Sequence, residues 1–245
     1  MADYPTQSGP QPGQWPPPVP GYDGRLARPP FISQLRRQRV IAVLAVLDGI
    51  TDIYSAAAPK LGSSAVLAVV DSIGAVVTLI VTVALAVVYL LWVSGTYRNL
   101  DAFRTAGKST TPGWAVGFYF VPFLNLYRPF RTMGEVWRAS DPSVDSSDAS
   151  AWRKRPTHMI IVVWWTLWIL YNLIAIPTVE FAQSTTPLLP IEYMIEIADV
   201  LLGLAGLLAM FRVVGLVNER QEAKEKTMLE QDPEPFNMLN GDSSQ

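Results

Sequence analysis

The sequence contains no cysteine and a single histidine, His158. The lack of thiols excludes a disulfide framework, a thiolate nucleophile and a cysteine metal site. One histidine effectively excludes a histidine zinc site or a Ser-His-Asp triad. Charged residues make up only 16% of the chain and sum to a formal net charge of −2, so nothing indicates a nucleic-acid partner. Since no catalytic or metal-ligand motif is recognisable, we expect neither enzyme activity nor a cofactor.

The apolar residues are concentrated in four long blocks, which predicts an all-α integral membrane protein. Each block reaches the roughly twenty residues that a helix needs to cross a bilayer. We expect the four transmembrane helices to pack as two hairpins. The predicted spans cover residues 38–58, 66–94, 158–180 and 191–217.

Both ends of the chain differ in composition from this membrane domain, residues 36–217. Residues 1–35 are rich in proline, which predicts a disordered tail; a proline-rich ligand for a groove-lined partner is the alternative. Residues 218–245 form a charged tail, typical first of a solvated helical extension and then of a disordered end.

Basic residues flank the predicted spans unequally. Five arginines precede the first span and nine Lys or Arg residues lie between the second and third, whereas the first outer connection holds only Lys60. The positive-inside rule therefore places both termini and the central loop in the cytoplasm. We expect a multi-pass protein of the cell membrane.

The central segment, residues 111–140, has the composition of neither a span nor an ordinary loop. Its uncharged run from Trp114 to Tyr127 is shorter than the roughly twenty residues of a spanning helix. We therefore expect a re-entrant or interfacial segment that touches the bilayer without crossing it. Pro112, Pro122 and Pro129 should break it into short pieces, because proline removes a backbone donor and bends helices.

The sequence after Pro129 predicts a short amphipathic helix, lying on the membrane surface or against the protein's own helices. Its apolar face comprises Phe130, Met133, Val136 and Trp137. Its polar face comprises Arg131, Glu135 and Arg138. Asn125, between two of the prolines, is expected to cap a helix or close a turn, with ligand recognition as the alternative.

Acidic residues interrupt the predicted spans. Asp48 and Asp52 are one turn apart on the first helix, and Glu196 and Asp199 lie on one face of the fourth. A charged carboxylate near the bilayer middle costs several kcal/mol unless it is protonated or hydrogen-bonded. We therefore expect these four side chains to face the bundle interior or water.

Two interpretations of the four carboxylates stay open. They could line a site for a cation or for protons, reached from the extracytoplasmic side. Alternatively, Asp48 and Asp199 are protonated structural residues bonded to polar neighbours, while Glu192 and Glu196 lie at the membrane interface. The neighbours expected within reach are Thr51, Tyr171 and Asn172.

A motif of tryptophans, prolines and asparagines extends from the end of the second span through the central segment, and we call its members the motif residues. These residues, which include an arginine and a glycine, are Trp92, Arg98, Asn99, Gly107, Pro112, Trp114, Pro122, Asn125, Pro129 and Trp137. The pattern resembles the bacterial membrane family catalogued as domain of unknown function 4328, over roughly residues 36–216. The resemblance implies an integral membrane protein with a proline-rich tail, and it implies no activity, ligand or partner.

These features together predict a non-enzymatic membrane component that interacts with or regulates partners through its central segment and tails. The alternative is a small transporter or channel subunit that uses the acidic residues for cations or protons. An enzyme acting on lipid is the least favoured. Besides the lipid bilayer, the expected partners are membrane or cytoplasmic proteins, and homo-oligomerisation stays open because four thin spans expose much surface.

Overall fold

The computed structural model describes residues 28–57, 64–182 and 190–231, with side chains except at 175–182, 191 and 192. Most of the predicted disordered tails, residues 1–27 and 232–245, and the outer connections lie outside these ranges. Every regular element within the described ranges is helical, and they contain no strand. The predicted all-α fold is confirmed at this level.

The described ranges contain seven α-helices, connected by turns and a single-turn 3₁₀ helix, Leu124–Leu126. The helices are α1 (Leu35–Ala57), α2 (Ala65–Ala102), α3 (Pro112–Gly117), α4 (Arg128–Ala139), α5 (Ala149–Arg153), α6 (Met159–Ala182) and α7 (Pro190–Gln231). Three of them, α1, α2 and α7 from Tyr193, are long and apolar enough to cross a membrane. The third predicted span, residues 158–180, coincides with α6, of which the part with described side chains, Met159–Ile174, is a shorter apolar helix. The count of four spans therefore stays a prediction.

Large apolar side chains project outward along these helices. Val46, Leu79 and Ile80 are each exposed over more than half of their surface. Burying one such side chain is worth roughly 1.5–3 kcal/mol, so water would be a poor solvent for this surface. Lipid satisfies it, because helices that are apolar all round belong where lipid and neighbouring helices share the contact.

The long helices pack in the order α2, α1, α7 and α6. α1 lies along both α2 and α7, while α6 lies along α7. Small residues permit the close approaches: a methyl group on Gly49 of α1 would come within 3.1 Å of Leu204 on α7. The segment from α3 to α5 packs across the end of the bundle formed by the last turns of α2, the start of α6 and the second half of α7.

The best-buried large side chains lie at this end of the bundle. Trp92 and Tyr97 of α2, Met133 of α4 and Trp152 of α5 are all almost completely inaccessible. Their burial explains why the central segment folds without long elements of its own: it packs on the ends of helices that are already fixed.

The amphipathic helix appears as α4, and it lies against the protein's own helices. One residue of its predicted polar face is placed differently, since Glu135 is only 4% exposed. Its carboxylate accepts hydrogen bonds from the Tyr97 hydroxyl (3.1 Å) and from the backbone N–H of Ser109 (2.8 Å). A helical wheel sorts residues by polarity and does not reveal such distant donors.

The charged extension of α7 is also less solvated than its composition indicates. The helix continues without interruption from the apolar part to Gln231, and three of its polar residues are buried. These are Asn218, Gln221 and Lys224. One face of the extension therefore belongs to the packed end of the bundle.

Gly107 offers a test of this packing, because it has a positive φ of 68° and leads from α2 into the central segment. A methyl group there would also lie 3.0 Å from Ala149 Cβ. We expect Gly107→Ala to lower the free energy of unfolding by about 1–2 kcal/mol, measured by thermal unfolding in detergent. Gly113→Ala is the matched control, because a methyl group at that helical position meets nothing within 4 Å. Equal melting temperatures for the two variants would contradict this account.

Candidate functional site

The four long helices surround a cavity of about 230 Å³. α1 contributes Asp48 and Asp52, and α2 contributes Thr82. The wall from α6 and α7 is mostly aromatic or small, and comprises Trp164, Trp168, Tyr171, Asn172, Leu202, Gly203, Gly206, Leu207 and Met210. Thr82 and Asn172 are exposed, which indicates that the cavity opens between α2 and α6.

Helical spacing brings these side chains to one place. Asp48 and Asp52 are four residues apart, so both project from the same face of α1. Gly203 of α7 leaves room opposite them: a methyl group there would lie 3.3 Å from the Tyr171 ring and 3.9 Å from Asp52 Oδ2. The phenol, the carboxylate and the α7 backbone therefore meet closely at this point.

Asp48 is 7% exposed and is tied to a neighbouring helix. Its Oδ1 accepts a hydrogen bond of 2.6 Å from the Thr82 hydroxyl. None of the three partners expected from the sequence bonds this carboxylate: Thr51 donates to the Asp48 backbone carbonyl, and Asn172 donates to the Trp168 carbonyl. The hydrogen-bond partner of the Asp48 carboxylate is therefore Thr82, and not one of the three residues expected from the sequence.

Asp52 is half-buried and makes no hydrogen bond or ion pair within the described residues. Asp48 and Asp199 both lie close enough for their charges to act on it. One oxygen of Asp199, Oδ1, is buried without a hydrogen-bond partner in the described part of the chain. None of the ion pairs formed by described residues includes one of these three carboxylates, so they have no basic partner there.

Glu196, the fourth predicted site residue, is half-buried and is not among the residues that line the cavity. Asp199 does not line the cavity either, but it lies close enough for its charge to act on Asp52, so the structure brings three of the four predicted carboxylates near one another. Across the described ranges, no group of three or more His, Cys, Asp or Glu side chains is arranged to hold a metal ion.

Aromatic rings in contact with one another separate the cavity from the central segment. Trp164, which lines the cavity, contacts Tyr89 of α2 with ring centroids 6.2 Å apart. The Tyr89 hydroxyl lies 3.0 Å from the hydroxyl of Tyr119, which follows α3. The central segment therefore closes the bundle on this side, below the carboxylates.

The motif residues mostly hold the central segment in place. Trp92 Nε1 donates to Asn218 Oδ1 at 2.8 Å. Asn99 Nδ2 donates to the Ile32 carbonyl and to Gln221 Oε1, both at 3.0 Å. These bonds link α2 to α7 and to the residues that precede α1.

The remaining motif residues fall into two groups. Gly107, Pro112, Pro122, Pro129 and Trp137 shape turns, helix starts or packed contacts: Pro112 opens α3 behind a Thr111 cap, and the Trp137 ring lies 4.2 Å below the Arg220 guanidinium. Arg98 and Trp114 are exposed, and Asn125 is half-buried in the 3₁₀ turn. The Asn125 side chain makes no hydrogen bond within the described residues, so its predicted capping role is not seen there.

Sequence reasoning missed Thr82, Gln221 and Asp141. Thr82 carries a hydroxyl group within an otherwise apolar helix, and this sequence signal could have identified it as a partner for the carboxylates. Gln221 lies among charged residues, and nothing in the sequence distinguishes its amide as a buried group. In the structure its Nε2 donates to the Thr96 carbonyl at 2.9 Å and to Ser140 Oγ at 3.2 Å.

Asp141 forms ion pairs with two arginines at the packed end of the bundle. Arg220 Nη2 lies 2.8 Å from its Oδ2, and Arg155 Nε lies 3.6 Å from the same atom. Burial opposes the charge, but hydrogen bonds from Ser143 and the two arginines together lower the pKa of Asp141. Lys224, in the charged extension of α7, donates to the carbonyls of Asp141 and Val144, and burial lowers its pKa to about 8.

A family model described as "Domain of unknown function (DUF4328)" matches residues 57–219. The match includes all ten motif residues and Asp199, and it begins after Asp48 and Asp52. No curated protein and no solved structure matches the chain.

The lowered pKa of Asp141 predicts a pH dependence. Its stabilising contribution is fully present above the ordinary carboxyl pKa of 3.8 and is lost as the pH falls through the lower folded value. We expect Asp141→Asn to lower the free energy of unfolding at neutral pH by about 1–2 kcal/mol. The deficit should shrink on acidification to about pH 3, in unfolding measurements on the purified protein.

Glu230→Gln is the control, because Glu230 pairs with Lys226 at 3.9 Å while mostly exposed, and exposed pairs contribute little. A deficit for Asp141→Asn that did not change with pH would contradict the charge-pairing account.

Proposed function

The chain belongs to the domain of unknown function family DUF4328, and we propose that it is a four-span membrane protein whose central cavity binds a small cation or protons. One observation carries this proposal. Asp48 and Asp52 line a cavity between helices of membrane-spanning length, Asp199 lies beside them, and they pair with no lysine or arginine of the described residues.

The four-span arrangement rests on length and charge. α6 has 24 residues, which at 1.5 Å per residue is about 36 Å and exceeds the roughly 30 Å of a bilayer core. Basic residues concentrate before and within the first turns of α1, and between the apolar parts of α2 and α6. By the positive-inside rule, both termini and the central segment then face the cytoplasm of a cell-membrane protein.

A bound cation would relieve two costs at once. Neighbouring carboxylates repel each other, and a charged carboxylate in a low-dielectric site is expensive unless a counter-charge is present. The aromatic rings of Trp164, Trp168 and Tyr171 add faces that attract cations. The volume is below the roughly 300–1,000 Å³ of pockets for drug-sized ligands, which favours an organic cation of methylammonium size, or protons carried with water.

An interaction or regulatory role, without enzyme activity, is the second candidate. The exposed aromatic side chains of the central segment support it, since Trp114, Phe120 and Phe123 are all more than half exposed. Of the ten motif residues, four are buried within the chain and do not add to such a surface, and four are exposed: Arg98, Gly107, Trp114 and Pro122.

Asp52→Asn tests the cation site, because it removes a charge without breaking a hydrogen bond of the described structure. We expect it to weaken cation binding at least tenfold, which corresponds to about 1.4 kcal/mol. The measurement is calorimetric titration of the purified protein with sodium, potassium and methylammonium salts. Repeating it in buffers of different ionisation enthalpy counts the protons released on binding.

Two further variants sharpen the test. Asp48→Asn keeps an oxygen that can accept from Thr82, so we expect it to fold normally and to bind weakly. Asp71→Asn is the matched control, because Asp71 lies outside the cavity and accepts from the Tyr54 hydroxyl at 3.0 Å. Cation affinity and proton release that are unchanged in both Asp48→Asn and Asp52→Asn would refute the proposal.

A further inference from the structure

The central segment carries four large apolar side chains that are each more than half exposed in the described structure. We call this group the aromatic tip, and it comprises Trp114, Phe120, Phe123 and Leu126. Phe120 is 70% and Phe123 81% exposed, although a buried aromatic or aliphatic side chain gains roughly 1.5–3 kcal/mol. Several large apolar side chains exposed within one short segment are typical of a contact with another molecule or with lipid.

The backbone around the aromatic tip is anchored to the membrane-crossing helices. Trp165 Nε1 of α6 donates to the Leu126 carbonyl at 2.9 Å. Trp165 is six residues into α6, or about 9 Å along its axis. On the other side, Tyr119 meets Tyr89, which lies about 20 Å before the end of α2. The tip is thus held beside turns of the helices that the four-span arrangement places within the bilayer boundary.

Phe123 adopts a strained conformation that turns its ring outward. Its φ is +64°, which is rare for a bulky residue, and the 3₁₀ turn that follows closes through a 3.3 Å bond from Leu126 N–H to the Phe123 carbonyl. Such strain persists where surrounding contacts impose it, and it concentrates at functional sites. An apolar ring held outward at this level suits insertion into the acyl region.

Two arginines beside the aromatic tip have no acidic partner among the described residues. The Arg128 guanidinium lies 4.8 Å from the Phe118 ring centroid and 5.9 Å from that of Tyr127. Its Nε is buried and has no acceptor. Arg131 follows one turn later on α4 and is exposed. These ring contacts hold the Arg128 guanidinium in place, and its N–H donors stay available to bind a planar or tetrahedral oxyanion.

From the apolar tip, its depth and the unpaired charge beside it, we propose that the aromatic tip inserts into the adjacent leaflet and that Arg128 and Arg131 bind the phosphate of an anionic phospholipid there. This site is separate from the acidic cavity. It rests on the proposed four-span arrangement and not on cation binding, so either proposal can fail without the other.

The absence of cysteine allows a direct test, because Phe123→Cys provides a unique attachment point for a fluorophore. The labelled full-length protein is reconstituted in equimolar phosphatidylcholine and phosphatidylglycerol, with bromine on the acyl chains of one lipid or the other. We expect quenching by both lipids and an apparent affinity about fivefold higher for phosphatidylglycerol, since one arginine near a membrane surface contributes about 1 kcal/mol. Phe120→Cys is the second attachment point should the first variant fold poorly.

Matched controls locate the site. Ser147→Cys, in an exposed turn before α5, should show little quenching by either lipid. Arg128→Gln should abolish most of the preference for phosphatidylglycerol, whereas Arg98→Gln should keep it, because exposed Arg98 lies about 13 Å further along α2 than Tyr89.

Three outcomes would overturn the proposal. Absence of quenching at both positions 123 and 120 would place the tip outside the bilayer. Equal affinity for the two lipids would refute phosphate recognition. A label that is shielded in native membranes but open to water in the vesicles would assign the surface to a protein partner.

Discussion

The packed end of the bundle depends on a pair of buried amides, Asn99 and Gln221, which join four parts of the chain. Asn99 bonds both backbone groups of Ile32, accepting from its N–H at 3.1 Å, and also donates to Gln221. Gln221 then reaches Thr96 of α2 and Ser140 after α4. Because unsatisfied buried amides are costly, this set of bonds fixes the register of α2, α7 and the central segment together.

That arrangement divides the molecule into two regions with different chemistry. At the packed end of the bundle, several buried polar side chains find partners within the chain, as Trp92 does with Asn218 and Glu135 with Tyr97, although Arg128 Nε and Arg138 Nε find none among the described residues. Around the acidic cavity, Asp52 and one oxygen of Asp199 find none among the described residues. A satisfied network stabilises a fold, whereas unsatisfied carboxylates in a cavity leave binding capacity for something that is not part of the chain.

Much of the fold could be predicted from the sequence, because apolar length and helical periodicity are local properties. The inward direction of Asp48 and Asp52 followed from the cost of exposing charge to lipid, together with their spacing on one helix. The partners did not follow: Thr82 reaches Asp48 only through the packing of α2 on α1, and Glu135 is buried only because Tyr97 and Ser109 come from elsewhere. The exclusion of Glu196 from the cavity likewise depends on how α7 is rotated against its neighbours.

The uninterrupted course of α7 has a mechanical consequence. Its 42 residues form one rod of about 63 Å, with Gly203 and Gly206 beside the acidic cavity and Gln221 in the amide pair. The helix continues for 28 residues beyond Gly203, or about 42 Å. Pivoting by about 5° at the cavity would sweep the far end by roughly 4 Å. A small rotation at the cavity would therefore be amplified, by leverage alone, into a larger displacement at the far end of the helix, beyond the amide pair.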